Sequence, residues 1–290
     1  MEVSTTPDPA VFAERAGEWL ARKPVENNLF LVHALDPAGN PPGQKEPVFA
    51  TVTDGGGDVA DVVGAAWAKA PYRMTLSGMP EEAAHTLAEH LVKAGESLPG
   101  VNGPTDAAAA FAHRWAELTG LSTHVEREQW IMECRSTTRP EAPNGRPRLA
   151  TEDDLETVAE WFTTTMRDIG LPPEEIQQRS NHMVGGQIAN QRLIVWEAPD
   201  GSRAAAAGWN PPLAGVVRPS GVFVSPAHRD GGYARLVLGE VVARALEDGA
   251  DACVCTLDLT YVPMRSVVEK VGFTKLIDVT EYRFGEGAKA

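Results

Sequence analysis

Apolar positions along the second half of the chain recur in two periods, and the alternation between them predicts most of its elements. "RPRLAT" (Arg146–Thr151) reads as a short strand, and Thr151 with Asp154 forms a capping arrangement ahead of Leu155, Val158, Ala159, Phe162 and Met166 at helical spacing. A second helix is expected after Pro172 and Pro173, through "EEIQQRSNHMVGGQI". "RLIVWEA", "SRAAAAGW" and "RPSGVFVSP" then read as three strands joined by turns at "PDG" and "NPPLAG". Leu238, Val241, Val242, Ala245 and Leu246 share one helical face, with Gly249 placed to cap the end. "DACVCTLD" reads as a strand, "PMRSVVEKVG" as a short helix and "TKLIDVTEYRF" as a closing strand.

The first half repeats this alternation more loosely. "NNLFLVHAL" and "EPVFATVT" are expected as strands, "EEAAHTLAEHLVKAGESL" and "TDAAAAFAHRWAELTG" as helices, and "EREQWIMECRS" as a strand. "TDGGGDVAD" falls between strand-like runs and reads as a hairpin turn rather than a phosphate loop. The break in periodicity at "STTRPEAPNGRP" (Ser136–Pro147) predicts a linker, giving expected domains at 1–140 and 146–290. Helices in both halves are amphipathic, so each half can close a core of its own.

Composition narrows the function classes. With 43% hydrophobic residues in 290, real cores are affordable, and no apolar run approaches the roughly 18 residues of a membrane span. The N-terminus lacks a basic segment followed by an apolar one, so the expected location is cytoplasmic, with no membrane partner. A net charge of -14 repels a phosphate backbone, and nucleic acid is not an expected partner. Cys134, Cys253 and Cys255 have no metal-ligand spacing and read as reduced, buried thiols; no metal is expected. A Gly-Lys phosphate loop, a His-Glu-x-x-His motif and a Gly-x-Ser-x-Gly elbow are all missing from the sequence, which removes support for NTPase, metalloprotease and hydrolase chemistry.

The stretch "GVFVSPAHRDGGYARLVLGEVVARALEDGA" (Gly221–Ala250) carries the most chemistry. Val222, Phe223 and Val224 form a strand ended by Pro226, and a helix begins near Ala234. Between them lie an arginine and two adjacent glycines. A glycine-rich turn opening a helix points unpaired N–H groups outward, where the macrodipole favours negative charge, so this turn is suited to an anion.

Strand, "RDGGYA", amphipathic helix, strand and a short helix ending in "KVGF" resembles the GCN5-related N-acetyltransferase (GNAT) family. The family's acyl-CoA loop, Arg/Gln-x-x-Gly-x-Gly/Ala, corresponds here to Arg229, Asp230, Gly231, Gly232, Tyr233 and Ala234. With "ENNLFL", "PGVNGP" and "DVTEYRF", the chain is similar to an actinobacterial-type subgroup holding two acetyltransferase-like halves in tandem. The resemblance implies an α/β (α+β) fold of two tandem domains, each a mixed, mainly antiparallel sheet flanked by helices, with the C-terminal domain complete and binding acyl-CoA. It also implies direct transfer from acetyl-CoA, or another acyl-CoA, to the amine of a small molecule. The backbone of Val222–Val224 would then meet the pantetheine arm and the developing oxyanion.

The chain departs from the family in one segment. "DLTYVPMRSVVEKVGF" places Val268 where the family has the tyrosine that protonates the departing thiolate, and Arg265 where it has an asparagine. Tyr261 is the alternative phenol, and Arg265 is a candidate for a CoA phosphate or an anionic acceptor. As acceptor-side bases, Asp258, Glu197 and Glu281 are possible, with Asp258 best placed at the end of its strand. His182, His228 and Trp209 have simpler packing or surface roles. Two other readings stay open: a non-catalytic acyl-CoA-binding protein that lost its acid, and an enzyme on the same fold using another activated donor such as an aminoacyl-tRNA.

Overall fold

The computed structural model describes residues 1–35, 46–55, 61–141, 145–166 and 173–285. Contacts divide the chain into two units, one of residues 1–132, 256–262 and 275–290, the other of residues 133–255 and 263–274. The expected boundaries at 140 and 146 are continuous in sequence, whereas these units exchange segments near the C-terminus. The exchange follows strand pairing, as the first unit shows.

In the first unit, β1 (Glu2–Thr6), β2 (Val48–Thr53), β3 (Val62–Ala68), β4 (Met74–Leu76) and β5 (Gly100–Pro104) are neighbours in that order. The C-terminal strand β13 (Thr274–Phe284) is next, antiparallel to β5 with Thr280 opposite Gly103, and β6 (Thr123–Cys134) follows it. A Cβ on Gly103 would press on Leu76, so glycine is what lets these backbones approach. Phe284 at the end of β13 stacks on Trp115, 5.7 Å between centroids, which fixes the closing strand to this core.

Helices α1 (Pro9–Ala21) and α2 (Asn28–Leu35) pack with Phe12 stacked on Phe49. Helices α3 (Glu81–Lys93) and α4 (Thr105–Thr119) bury Leu87, Leu91, Phe111 and Trp115 against Ala50, Val52, Ala66 and Val101. "NNLFLVHAL" is therefore helical, not a strand. Its apolar run has no period of two, and Phe30 and Leu31 are buried while Leu29 is exposed, the pattern of a helix turning one face inward. β2 and β3 pair antiparallel with Val52 opposite Gly64, as a hairpin requires, although most of the expected "TDGGGDVAD" turn lies outside the described residues.

The second unit is built on the four strands β11 (Pro219–Val224), β9 (Arg203–Trp209), β8 (Leu193–Glu197) and β7 (Arg146–Leu149), all antiparallel neighbours. Leu193 and Val195 of β8 join Ala206 under α5 (Leu155–Met166) and α6 (Pro173–Ala189). Ile194 and Trp196 alternate to the other face and are equally buried there, where α7 (Tyr233–Glu247) packs. A strand covered on both faces explains the unbroken apolar run "LIVW".

Around one buried acid, Asp154, the sheet edge is tied together. It accepts from Arg148 at 2.6 and 2.8 Å, from Arg203 at 2.6 Å and from the Thr151 amide at 2.8 Å. Burial opposes its charge, but these donors outweigh it and hold the carboxyl well below its usual range.

The short strand β10 (Val216–Val217) pairs in parallel with β12 (Ala252–Asp258), Val216 opposite Ala252, before the chain passes Arg218 into β11. The helix α8 (Val262–Val271) follows β12. The strand expected at "RPSGVFVSP" is β11, and β10 is a further short strand ahead of it with a different neighbour.

Candidate functional site

Parting strands and the loop after them make the site. β10 pairs with β12 at Val216 and Val217; from Pro219 onward the strand pairs with β9 instead. At the parting point burial pushes the Arg218 guanidinium down, within electrostatic reach of Cys255. A register shift between Ser220 and Phe223 marks a β-bulge centred on Gly221, whose φ is +56°. A Cβ there would fall inside the ring of Phe162 on α5, so the bulge needs glycine both for its dihedral and for space.

Beyond the bulge, Phe223 stacks on Trp161 at 4.9 Å, and the Ser225 amide donates to Ala204 O at 2.9 Å. Amides alternate along a strand, so the Val224 N–H points away from β9, toward the edge that β12 has left. Val222, Phe223 and Val224 are all half-buried.

After Val224 comes a turn of 3-10 helix, Pro226–His228, and then Arg229, Asp230, Gly231 and Gly232 before α7. Asp230 and Gly232 are left-handed, with φ of +63° and +78°, conformations that turn successive amides toward one concavity. The Gly231 amide donates to His228 O at 3.3 Å. Among the described residues, the amides of Gly232, Tyr233 and Ala234 have no backbone acceptor, and Gly232 caps α7 without a side-chain bond. Around Gly232 a Cβ would meet open space, and a Cβ on Gly231 would meet the Tyr233 ring. These features leave a shallow cradle at a helix start, and Arg229 beside it is exposed. Backbone N–H groups, the dipole and a guanidinium together suit a pyrophosphate.

His228 is more than a rim residue. Its Nδ1 lies 2.7 Å from Ser225 Oγ, its Nε2 3.1 Å from Ser202 Oγ, and its ring meets Tyr233 edge-on at 5.5 Å. Tyr233 is buried and packs at the helix start. Sequence reasoning missed this clamp because Ser202 lies on a distant turn.

The acid and base candidates are placed as follows. Glu197 accepts from Arg148 at 2.6 Å and Arg146 at 3.0 Å, and these guanidiniums lower its pKa. Asp258 accepts from the hydroxyl and amide of Thr260 and pairs with Arg127 at 3.1 Å; burial raises its pKa, but these partners prevail and leave it below the usual range. Glu281 is held by Arg73 at 2.6 Å. Tyr261 is 57% exposed, and Arg265 is exposed on the first turn of α8 with Glu269 at 2.9 Å. Val268 is buried at 3%. Asp258, Tyr261 and Glu281 belong to the first unit, Glu197, Arg265 and the loop to the second.

No protein-family model and no curated protein matches the sequence. Solved structures do match it. An acetyltransferase of the GNAT family from Colwellia psychrerythraea aligns with a TM-score of 0.64 at 13% identity, over 98% of this chain and 99% of that one. A GCN5-related N-acetyltransferase from Sphaerobacter thermophilus gives 0.64 at 17% identity, over 99% and 98%. The chain has the GNAT fold. A tandem GNAT protein from the clavulanic acid biosynthesis pathway also aligns over 100% of both chains, with a TM-score of 0.55 at 12% identity. The strand Val222–Val224, the loop and α7 follow one another in the order expected from the sequence, while the parting of β10 from β11 and the bulge at Gly221 were not foreseen. Among the described residues no group of His, Cys, Asp or Glu could hold a metal ion, and no helix is long and apolar enough to cross a membrane.

Proposed function

We propose that the protein is an acyl-CoA-dependent N-acyltransferase, with acetyl-CoA as donor and the amine of a small molecule as acceptor. One observation carries the reading: a strand that leaves its parallel neighbour at Arg218 runs directly into an amide-lined loop at a helix start. The amides of Gly232, Tyr233 and Ala234, with Arg229, hold the donor's pyrophosphate, and Asp230 and Gly231 shape the turn that presents them. The freed edge of Val222–Val224 takes the pantetheine arm, and the Val224 N–H donates to the thioester oxygen as it gains charge. Arg265 offers a second cation to the donor's phosphates or to an anionic acceptor.

Protons move by less committed groups. A thiolate of pKa about 8.5 departs near neutrality without full protonation, so the buried Val268 slows transfer rather than preventing it. Asp258 and Glu197 are weakened as bases by their cations, so the acceptor's ammonium is expected to lose its proton largely through water.

A second reading, an acyl-CoA-binding protein without transfer, is favoured by Val268 alone. Thermal unfolding with and without acetyl-CoA tests both. A ligand at 100 times its Kd stabilises by about 2.7 kcal/mol, worth about 2–4 °C per kcal/mol. Wild type should shift and an Arg229→Ala, Gly232→Asp variant should not; no shift in wild type overturns both readings. Thiol release with added amines separates transfer from binding.

A further inference from the structure

The β8–β9 turn is joined to the loop through the side chains of Ser202 and His228. Ala198 N–H donates to Ser202 O, and Gly201 N–H to Ala198 O, which closes the turn tightly. Asp200 Oδ1 accepts from both the Ser202 amide at 2.9 Å and its hydroxyl at 2.6 Å. Ser202 Oγ has thus committed its proton to Asp200. At 3.1 Å from His228 Nε2 it can only accept, so Nε2 carries the imidazole hydrogen. Nδ1 is then the acceptor for the Ser225 hydroxyl at 2.7 Å. Proton positions run one way: Ser225 to His228, His228 to Ser202, Ser202 to Asp200.

His228 also sits inside the loop's main chain. Its amide donates to Ser225 O at 2.9 Å, and its carbonyl accepts from Gly231 at 3.3 Å. That second bond turns the Gly231 amide inward and leaves the amides of Gly232, Tyr233 and Ala234 facing out. Its ring edge rests on Tyr233, the first residue of α7. Holding the ring therefore holds both ends of the cradle. The carboxyl of Asp200 is kept below its usual range by the Ser202 hydroxyl and amide, so it stays an acceptor.

We propose that Asp200 and Ser202 are positioning residues for the donor site, acting through the His228 ring on the loop amides that meet the pyrophosphate. The proposal rests on the acyl-CoA reading above. It assigns a donor-binding role to a hairpin turn that contains no part of the loop motif.

Binding of CoA itself, followed by calorimetry, tests it without an acceptor. Ser202→Ala leaves the His228 Nε2–H unanswered and should weaken CoA binding about fivefold, the effect of one hydrogen bond of about 1 kcal/mol. Ser202→Thr keeps the hydroxyl and should bind within about twofold of wild type. Asp200→Ala, on an exposed turn residue, should weaken binding in the same direction. The 15N shifts of the His228 imidazole should show the Nε2–H tautomer in wild type. Wild-type affinity in Ser202→Ala, a Thr variant as weak as the Ala one, or the opposite tautomer overturns the proposal while the acyl-CoA reading stands. Wild type that does not bind CoA overturns that reading, and this proposal with it.

Discussion

Gly221 is the position at which fold and site make the same demand, so Gly221→Ala should damage both. At φ +56° an alanine sits in the left-handed region, at a cost of roughly 1–2 kcal/mol. Its methyl also falls inside the Phe162 ring, which is buried beneath α5 with Val158, Val184 and Val195. Overpacking a filled core of this kind costs about 1–3 kcal/mol. Together the two give ~2–5 kcal/mol, or a fall in Tm of about 4–20 °C by scanning calorimetry. The strand could escape by giving up the bulge, but a one-residue slip would turn Val222–Val224 over and point the wrong amide along the free edge. CoA affinity should therefore fall with stability. Adding Phe162→Leu opens the crowded space, so the double variant should be more stable than the sum of the two single losses. A Gly221→Ala protein within about 1 °C of wild type, or strict additivity in the pair, would refute the assignment of this glycine to the bulge.

Asp154→Asn removes the charge that two arginines and an amide converge on, and should destabilise by about 3–5 kcal/mol, read from denaturant unfolding. Because the folded carboxyl lies below an unfolded value near 3.9, its contribution is fully present above that pH and is lost as pH falls toward the folded value. The stability gap between wild type and Asp154→Asn should accordingly be flat from about pH 5 to 7 and narrow below about pH 4. Burial pushes the Cys253 and Cys255 thiols up to about 12, so both should resist iodoacetamide in the folded protein at pH 8 and react after unfolding.

The turn and the helix start after it were legible because their signals are local. Arg229 to Ala234 lie in sequence between a β-prone run and an amphipathic one, and the helix start follows from neighbours alone. The same locality made the strands Leu193–Glu197 and Ala252–Asp258 readable from their apolar runs. What was not readable depends on pairing across the chain. β13 looks like the end of the second half, yet its hydrogen bonds go to β5, which only tertiary contact decides. The bulge at Gly221 is set by Phe162, and the His228 clamp by Ser202, both distant in sequence. α2 was misread for a different reason: an apolar run without a period carries no sign of its secondary structure.

The first unit shows why the same strand-to-helix step is suited to an anion in one half and has no reason to be in the other. β4 runs parallel to β5, Met74 opposite Val101, much as β10 runs beside β12, and β4 too leads into a helix. There the connection is only Ser77–Pro80. Ser77 is spent on β3: its amide donates to Ala65 O and its hydroxyl accepts from Ala65 N. Pro80 brings no N–H, and Glu81 and Glu82 occupy the first turn of α3, where their carboxylates answer the helix dipole and would repel a phosphate. α7 instead begins with Tyr233, Ala234 and Arg235, preceded by two left-handed residues that keep its first amides turned outward. With a net charge of -14 the chain offers a polyanion no help at long range. On the acyl-CoA proposal, donor binding depends on these few amides being held in place, which makes the residues that position the loop as important as those within it.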